Sequence, residues 1–314
     1  MQAPPAPRFA IAMCTLNGAA HLAQQLDSLE AQSLDAWDLW VSDDGSHDAT
    51  RAILADYAAR WQGRHRVHVI DGPRRGVAAN FLTLLCDPRL PADRPVALSD
   101  QDDIWFPDKL ARAGRALASA GPGQVLLYGA QSLHVSADLQ PLGPSRAPRR
   151  APAFANALAQ NIVSGHSAVL SPGALALLRR AGVPQAVPFH DWWLYQLISG
   201  AGGQVVVDDA VVLAYRQHPG NAIGAHRGAR AMGARLATIL SGTYGAWIRT
   251  NLAALTATDA CLTPPARRLV EYLGRDLNGS RQRIGARRLM RAGLYRQSRL
   301  TTAALTTAAL LGRI

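Results

Sequence analysis

The chain is short of lysine, of cysteine and of long apolar runs. Of its 33 basic residues only Lys109 is a lysine; the others are arginines. A bias that general reflects the base composition of a genome more than a function. Cysteines number 3, at Cys14, Cys86 and Cys261. They are scattered, so they form neither a disulfide framework nor a zinc spacing, and they suit a reducing compartment, the cytoplasm. No stretch approaches the roughly 18 apolar residues that carry a helix across a bilayer. The opening "MQAPPAPRFAIAMCTL" has no basic segment leading into a long apolar one, so no secretory leader is expected. There is no internal repeat and no low-complexity tract.

What is present is globular. The 314 residues are 48% hydrophobic and 18% charged, enough for one large α/β domain and a smaller appendage. The net charge of +11 is uneven. From Ala225 to the end, 15 arginines face only Asp259, Glu271 and Asp276, which leaves the first 224 residues close to neutral. A neutral body with a basic end suggests contact with phosphates, anionic lipid or nucleic acid, or else a solvated helical face. The expected division is therefore 1–224 and 225–314.

The first 120 residues alternate strands and helices. "RFAIAMC" (8–14), "WDLWVS" (37–42), "HRVHVI" (65–70) and "RPVALS" (94–99) read as strands. Between them lies a helix with Leu22, Leu26 and Leu29 on one face, and another with Ile53, Leu54 and Tyr57, which Asp48 can cap. "NFLTLL" sits in a third helix, and Pro107 opens a fourth. That alternation predicts a doubly wound, mostly parallel sheet, whose ligands bind beyond the carboxyl ends of the strands. All four strands end in polar or glycine-rich turns: "TLNG", "DDGS", "DGPRRG" and "DQDD". Further on, 124–135 and 167–171 read as strands, 141–152 as a mobile loop, 190–199 as a helix and 203–218 as two short strands. The end is mainly helical.

Four clusters can carry chemistry. Asp100, Asp102 and Asp103 crowd together where an apolar strand ends. Like charges that close call for a cation, and Mg²⁺ or Mn²⁺ takes carboxylates together with substrate phosphates; an acidic turn capping the next helix is the plainer alternative. Asp43-Asp44-Gly45-Ser46 suits either a tight turn or a carboxylate accepting from a pyrimidine N3–H. In "FHDWWL", Asp191 at a helix start is either a cap or a general base, and Trp192 and Trp193 are either core or a wall for a sugar. His218 follows an apolar strand and is either structural or a metal or phosphate contact.

Taken in order, "CTLNG", "LDSLEAQS", "WVSDDGSHDAT", "GVAANF", "LSDQDDIWFPDKL", "NIVSGHSAVLS", "FHDWWL" and "YRQHPGNAIG" resemble the family-2 inverting glycosyltransferases of GT-A fold, in the bacterial rhamnosyltransferase-like branch. The likeness spans about residues 8 to 224. It implies a nucleotide-sugar pocket of Thr15, Asn17, Asp44, Gly76, Asn80, Asp100 and Gln101. It implies Mn²⁺ or Mg²⁺ on Asp102 and His218, with Asp191 as the base. Leu16 stands where the family commonly has a tyrosine stacked on the base. The implied donor is dTDP-L-rhamnose or a UDP-sugar, and the acceptor a glycan or lipid-linked glycan at the inner face of the cytoplasmic membrane. Residues 281–300 interleave arginines with Ile284, Leu289, Met290 and Leu294, which suits an interfacial helix or a helix packed back on the body.

Other classes fit less well. A nucleic-acid-binding protein has no need of four acidic or polar strand ends, so no nucleic-acid partner is expected. A nucleotidyltransferase would carry a glycine-rich basic phosphate loop near its start, and "CTLNGAAH" is not one. A non-catalytic nucleotide-sugar-binding relative is the remaining alternative.

Overall fold

The computed structural model describes residues 8–121, 123–217, 233, 237–239, 241–275 and 283–314. A parallel core comes first: β1 (Phe9–Thr15), β2 (Trp37–Asp43), β3 (Val67–Asp71) and β4 (Val96–Ser99) lie in the order β3-β2-β1-β4. The crossovers are α1 (Leu22–Glu30), α2 (Thr50–Arg60) and α3 (Val77–Cys86). The order of strand addition therefore reverses at β1, with β4 added on its other side, which opens a crevice at the carboxyl ends of those two strands.

Beyond β4 the sheet becomes mixed. β8 (Val169–Leu170) is antiparallel to both β4 and β6 (Leu126–Val135), and β9 (Gln204–Arg216) runs parallel to β6. The short β5 (Ile104–Trp105) closes the far edge against β9. The segment 203–218 was expected as two strands and is one through Arg216, with register shifts along its pairing to β6. The loop expected at 141–152 begins instead with β7 (Pro141–Pro144), an edge strand on β6 where proline costs no ladder bond.

Alternation along β1 sorts the core into two layers. Phe9, Ile11 and Met13 face Leu22, Leu26 and Leu29 of α1, with Leu110 and Ala113 of α4 (Lys109–Ser119). Ala10, Ala12 and Cys14 face α3, α6 (Pro172–Ala181) and α7 (His190–Gly200). A four-residue helix, α5 (Phe154–Ala157), lies between β7 and β8 in sequence.

The expected boundary at 224 lies outside the described residues. The C-terminal helices are α8 (Thr243–Ala257), α9 (Pro264–Gly274), α10 (Ala286–Arg291) and α11 (Arg299–Leu310). Ile248, Leu252, Leu273 and Leu305 from them join the same apolar layer as α7. Of the apolar residues in the segment 281–300, Ile284, Leu289 and Leu294 are buried against the body, while Met290 and Leu300 face out. No helix among the described residues is long and apolar enough to cross a membrane.

Candidate active site

The β2 end is stitched together by Asp43 rather than Asp44. Its buried carboxylate accepts from Thr15 Oγ1 at 2.9 Å and Arg51 Nε at 2.7 Å, and from the Ser46 hydroxyl. These donors hold its pKa below the usual carboxylate range despite burial. Thr15 is thereby committed to the framework. Asn17 sits at φ +50, a region asparagine tolerates. Its N–H donates to Ser46 Oγ at 2.8 Å, and its side-chain oxygen accepts from His47 N at 2.9 Å.

Asp44 organises the next loop. Its carboxylate accepts from the N–H groups of Arg74 at 2.6 Å and Gly76 at 3.1 Å. Gly76 has φ +85 and precedes α3, so a side chain there would strain the turn. Gly72 allows the close approach: a Cβ there would lie 2.7 Å from both Asp44 Oδ1 and Asn80 Oδ1. Asn80 is buried, and its Nδ2 donates to Ser42 O at 2.9 Å. It supports the pocket from behind and presents no face to a ligand.

Gln101 closes the gap between β1 and β4. Its Oε1 accepts the Leu16 N–H at 2.9 Å and its Nε2 donates to Leu16 O at 3.1 Å. The Leu16 side chain is left exposed.

After Gln101 the chain turns inward, because β5 must reach β9. Asp103 is fully buried, and its Oδ1 accepts the Arg216 N–H at 3.3 Å. Arg216 also donates from Nε to Asp102 O at 3.0 Å and from Nη1 to Ala137 O at 2.6 Å, clamping the loop to the end of β9. Ligand atoms of Asp100, Asp103 and His166 lie within 4.8 Å of one another. Among the described residues, Asp103 Oδ2 and His166 Nε2 are buried without a hydrogen-bond partner. Two carboxylates and an imidazole suit a divalent first-row ion, and the two orphaned atoms are what such an ion would satisfy.

Lys109 lies beneath this cluster. Fully buried, it donates from Nζ to His166 O at 2.6 Å and sits 3.3 Å from the centre of the Trp105 ring. Burial holds its ammonium well below the usual lysine range, against the pull of Asp103 and Asp100. Burial, with the like charges of Asp102 and Asp191, pushes the Asp100 carboxyl up to about 7. Burial drives Asp103 well above the ordinary range, and brings His166 down to about 3. A divalent cation would reverse the balance for the acids.

Asp191 meets the cluster through the turn that carries His166. Its Oδ2 accepts the Gly165 N–H at 3.0 Å and its Oδ1 accepts the Trp192 N–H at 2.7 Å. Gly165 has no room for a side chain, since a Cβ would lie 2.5 Å from His190 Nε2.

The crevice thus gathers Thr15, Asn17, Asp44, Gly76, Asp100, Gln101, Asp102 and Asp191 around four strand ends. Two further expectations change. Trp192 and Trp193 form no sugar wall: they are 2% and 0% exposed, because α7 is enclosed by α3, α5 and α6. The carboxylates that gather with His166 are Asp100 and Asp103; Asp102 stays half-buried outside that cluster. His218 lies outside the described residues. Sequence reasoning gave no role to His166, Lys109 or Arg216. The signal for Lys109 was available, as the one lysine in an arginine-rich chain.

Residues 10–128 match the family described as Glycosyl transferase family 2. The dTDP-rhamnosyl transferase RfbG of Shigella flexneri is 24% identical over 241 residues, spanning 74% of this chain and 80% of that protein. The mannosyltransferase PcManGT of Pyrobaculum calidifontis, solved with GDP-Man and Mn²⁺, has a TM-score of 0.54 at 19% identity, covering 98% of this chain and 87% of its own. S. aureus TarS 1–349 with UDP-GlcNAc gives 0.54 at 12% identity, covering 96% and 90%. The mixed sheet and its crevice are those of the GT-A fold. Over residues 10–128 the chain is similar to the family 2 glycosyltransferases.

Proposed function

We propose that this glycosyltransferase moves a sugar from a nucleotide sugar to a hydroxyl of a glycan or lipid-linked glycan, inverting the anomeric carbon. The supporting observation is the continuous link from Asp191 through Gly165 and His166 to Asp100 and Asp103. It puts a carboxylate fixed by two N–H groups beside a set of metal-type donors.

In this reading the nucleotide lies across the Leu16–Gln101 bridge, with Asp44 and Asn17 at its base. Asp100, Asp103 and His166 would hold the divalent ion, and Asp102 would add charge nearby. When bound, that ion neutralises the charge developing on the departing diphosphate. Asp191 takes the proton of the acceptor hydroxyl. The hydroxyl oxygen bonds to the anomeric carbon from the face opposite the diphosphate, which leaves with the bonding pair. Residues 1–224 form the catalytic unit, and 225–314 an accessory helical layer.

For the donor, dTDP-L-rhamnose has the best support, because the relative at 24% identity is a dTDP-rhamnosyl transferase. A panel of dTDP-rhamnose, UDP-glucose, UDP-galactose and GDP-mannose, each with and without Mn²⁺, tests this by thermal shift. Stabilisation by dTDP-rhamnose that needs the metal and disappears in Asp103→Ala is the expected result. Stabilisation by a UDP-hexose alone would reassign the donor. Retention of the donor's anomeric configuration in the product, read by NMR, would overturn the single displacement.

A further inference from the structure

The last helix turns an apolar face outward. Leu305, Ala308 and Ala309 of α11 are buried against the body. Leu300, Ala303, Thr307, Leu310 and the adjoining Leu311 are exposed. Their spacing keeps to the period of one helical face, on the side away from the core. Leu310, Leu300 and Leu311 are 73%, 69% and 60% exposed, the three highest values among the described large hydrophobic residues. Single exposed leucines are ordinary, but a stripe of them on one helix is not.

Arginines frame this stripe at both ends. Arg299 and Arg313 flank it in sequence, both exposed. Arg283 packs beside Gly312, where a Cβ would meet its Nη1 at 2.7 Å. At the other end, the backbone N–H groups of Arg149 and Arg150 both donate to Gln297 Oε1 at 2.9 Å, which brings that segment near the start of α11, with the Arg150 guanidinium over the Tyr295 ring. From Arg283 to Ile314 the chain has seven arginines and no acidic residue.

That charge pattern selects the occupant. A second copy meeting this face symmetrically would set arginines against arginines. A bilayer rich in anionic headgroups offers phosphates to the guanidinium rim and acyl chains to the leucines. We infer that the outer face of α11, rimmed by Arg283, Arg299 and Arg313, docks the enzyme on an anionic membrane surface. The surface takes over the role that the sequence suggested for 281–300, and it does not depend on which donor is used.

Co-flotation of the full chain with vesicles tests it. Vesicles of phosphatidylcholine alone are compared with equal parts phosphatidylcholine and phosphatidylglycerol. The wild type is expected to float with the anionic vesicles only. Leu310→Ser/Leu311→Ser and, separately, Arg299→Gln/Arg313→Gln should each bind roughly tenfold more weakly or worse. All four side chains are exposed, and unchanged thermal unfolding confirms that the variants fold. Failure of the wild type to float, or equal flotation of wild type and variants, overturns the proposal. So does light scattering that shows a dimer lost in the leucine variant, because the face then belongs to a second copy.

Discussion

The side-chain amide of Gln101 closes on both backbone groups of Leu16, accepting its N–H at 2.9 Å and donating to its carbonyl at 3.1 Å. This pair joins the loop after β1 to the loop after β4, on either side of the crevice. Removing two exposed hydrogen bonds costs about 1–2 kcal/mol where the geometry is needed. Gln101→Ala is therefore expected to raise the donor KM roughly tenfold while changing kcat less. Gly18→Ala should behave alike, since its Cβ would lie 2.3 Å from Gln101 Oε1 and push the amide away. Steady-state kinetics with varied donor check both; an unchanged KM in each removes the bridge from donor binding.

Asp191→Asn keeps an oxygen for the Gly165 N–H and loses the basic site. Turnover should fall by about 100-fold or more. The donor Kd, measured by calorimetry in the presence of Mn²⁺, should not move. A variant with wild-type turnover would place the base elsewhere.

Lys109→Met leaves the His166 carbonyl without its donor and takes a buried positive partner from Asp103 and Asp100. Breaking one side of a buried charge cluster costs about 3 kcal/mol. Urea unfolding should show that loss. Added Mn²⁺ should recover part of it, because a cation at the cluster supplies the missing charge.

Acid sensitivity has a defined sign at His65 and His68. His65 stacks on Trp37 at 3.5 Å and His68 on Trp40 at 4.0 Å. Burial lowers the pKa of both. The unfolded chain takes up protons near the ordinary histidine value of about 6.5, before the folded state does. Stability is therefore unaffected above that pH and falls as the pH drops below it. Asp100 runs the other way: its carboxyl, raised to about 7, binds a proton more readily in the folded state and favours folding as the pH falls. The histidine contribution is thus read as the difference between wild type and His68→Gln at each pH. The variant should lose less stability on acidification, by at most about 1.4 kcal/mol per pH unit. Chemical unfolding between pH 5 and 8 measures it, with the range set roughly by those pKa values.

The buried tryptophans give a clean contrast. Trp193 is fully enclosed in the layer beneath α7. Trp193→Ala should cost about 3–5 kcal/mol, and Trp193→Phe should leave both KM values unchanged. A change in acceptor KM with the phenylalanine would restore its role as a sugar wall.

The parallel half of the fold was legible because each of its signals is local. Leu22, Leu26 and Leu29 at helical spacing, and apolar runs ending in "DDGS" and "DQDD", state their element and direction within ten residues or so. The second half was less legible. β5 is two residues long, and β7 is defined by its pairing with β6. Neither has a periodicity to read. The site divided in the same way. Asp191 and the acidic loop stand out in sequence, whereas Asp44 and Asn80 show their structural partners only once β3 and α3 are folded beside them.

The sequence alone pointed to the class of chemistry. Crowded carboxylates at the end of an apolar strand suit a cation, and the ordered motifs resemble family 2 glycosyltransferases. Tertiary structure decided which of those carboxylates faces inward. Pairing of β5 with β9 turns Asp103, not Asp102, toward His166, a partner 63 positions away that no local pattern connects to it. It also decided which leucines of the basic end are core and which meet solvent. That choice depends on the face each helix presents to α7 and its neighbours, and composition carries no information about faces.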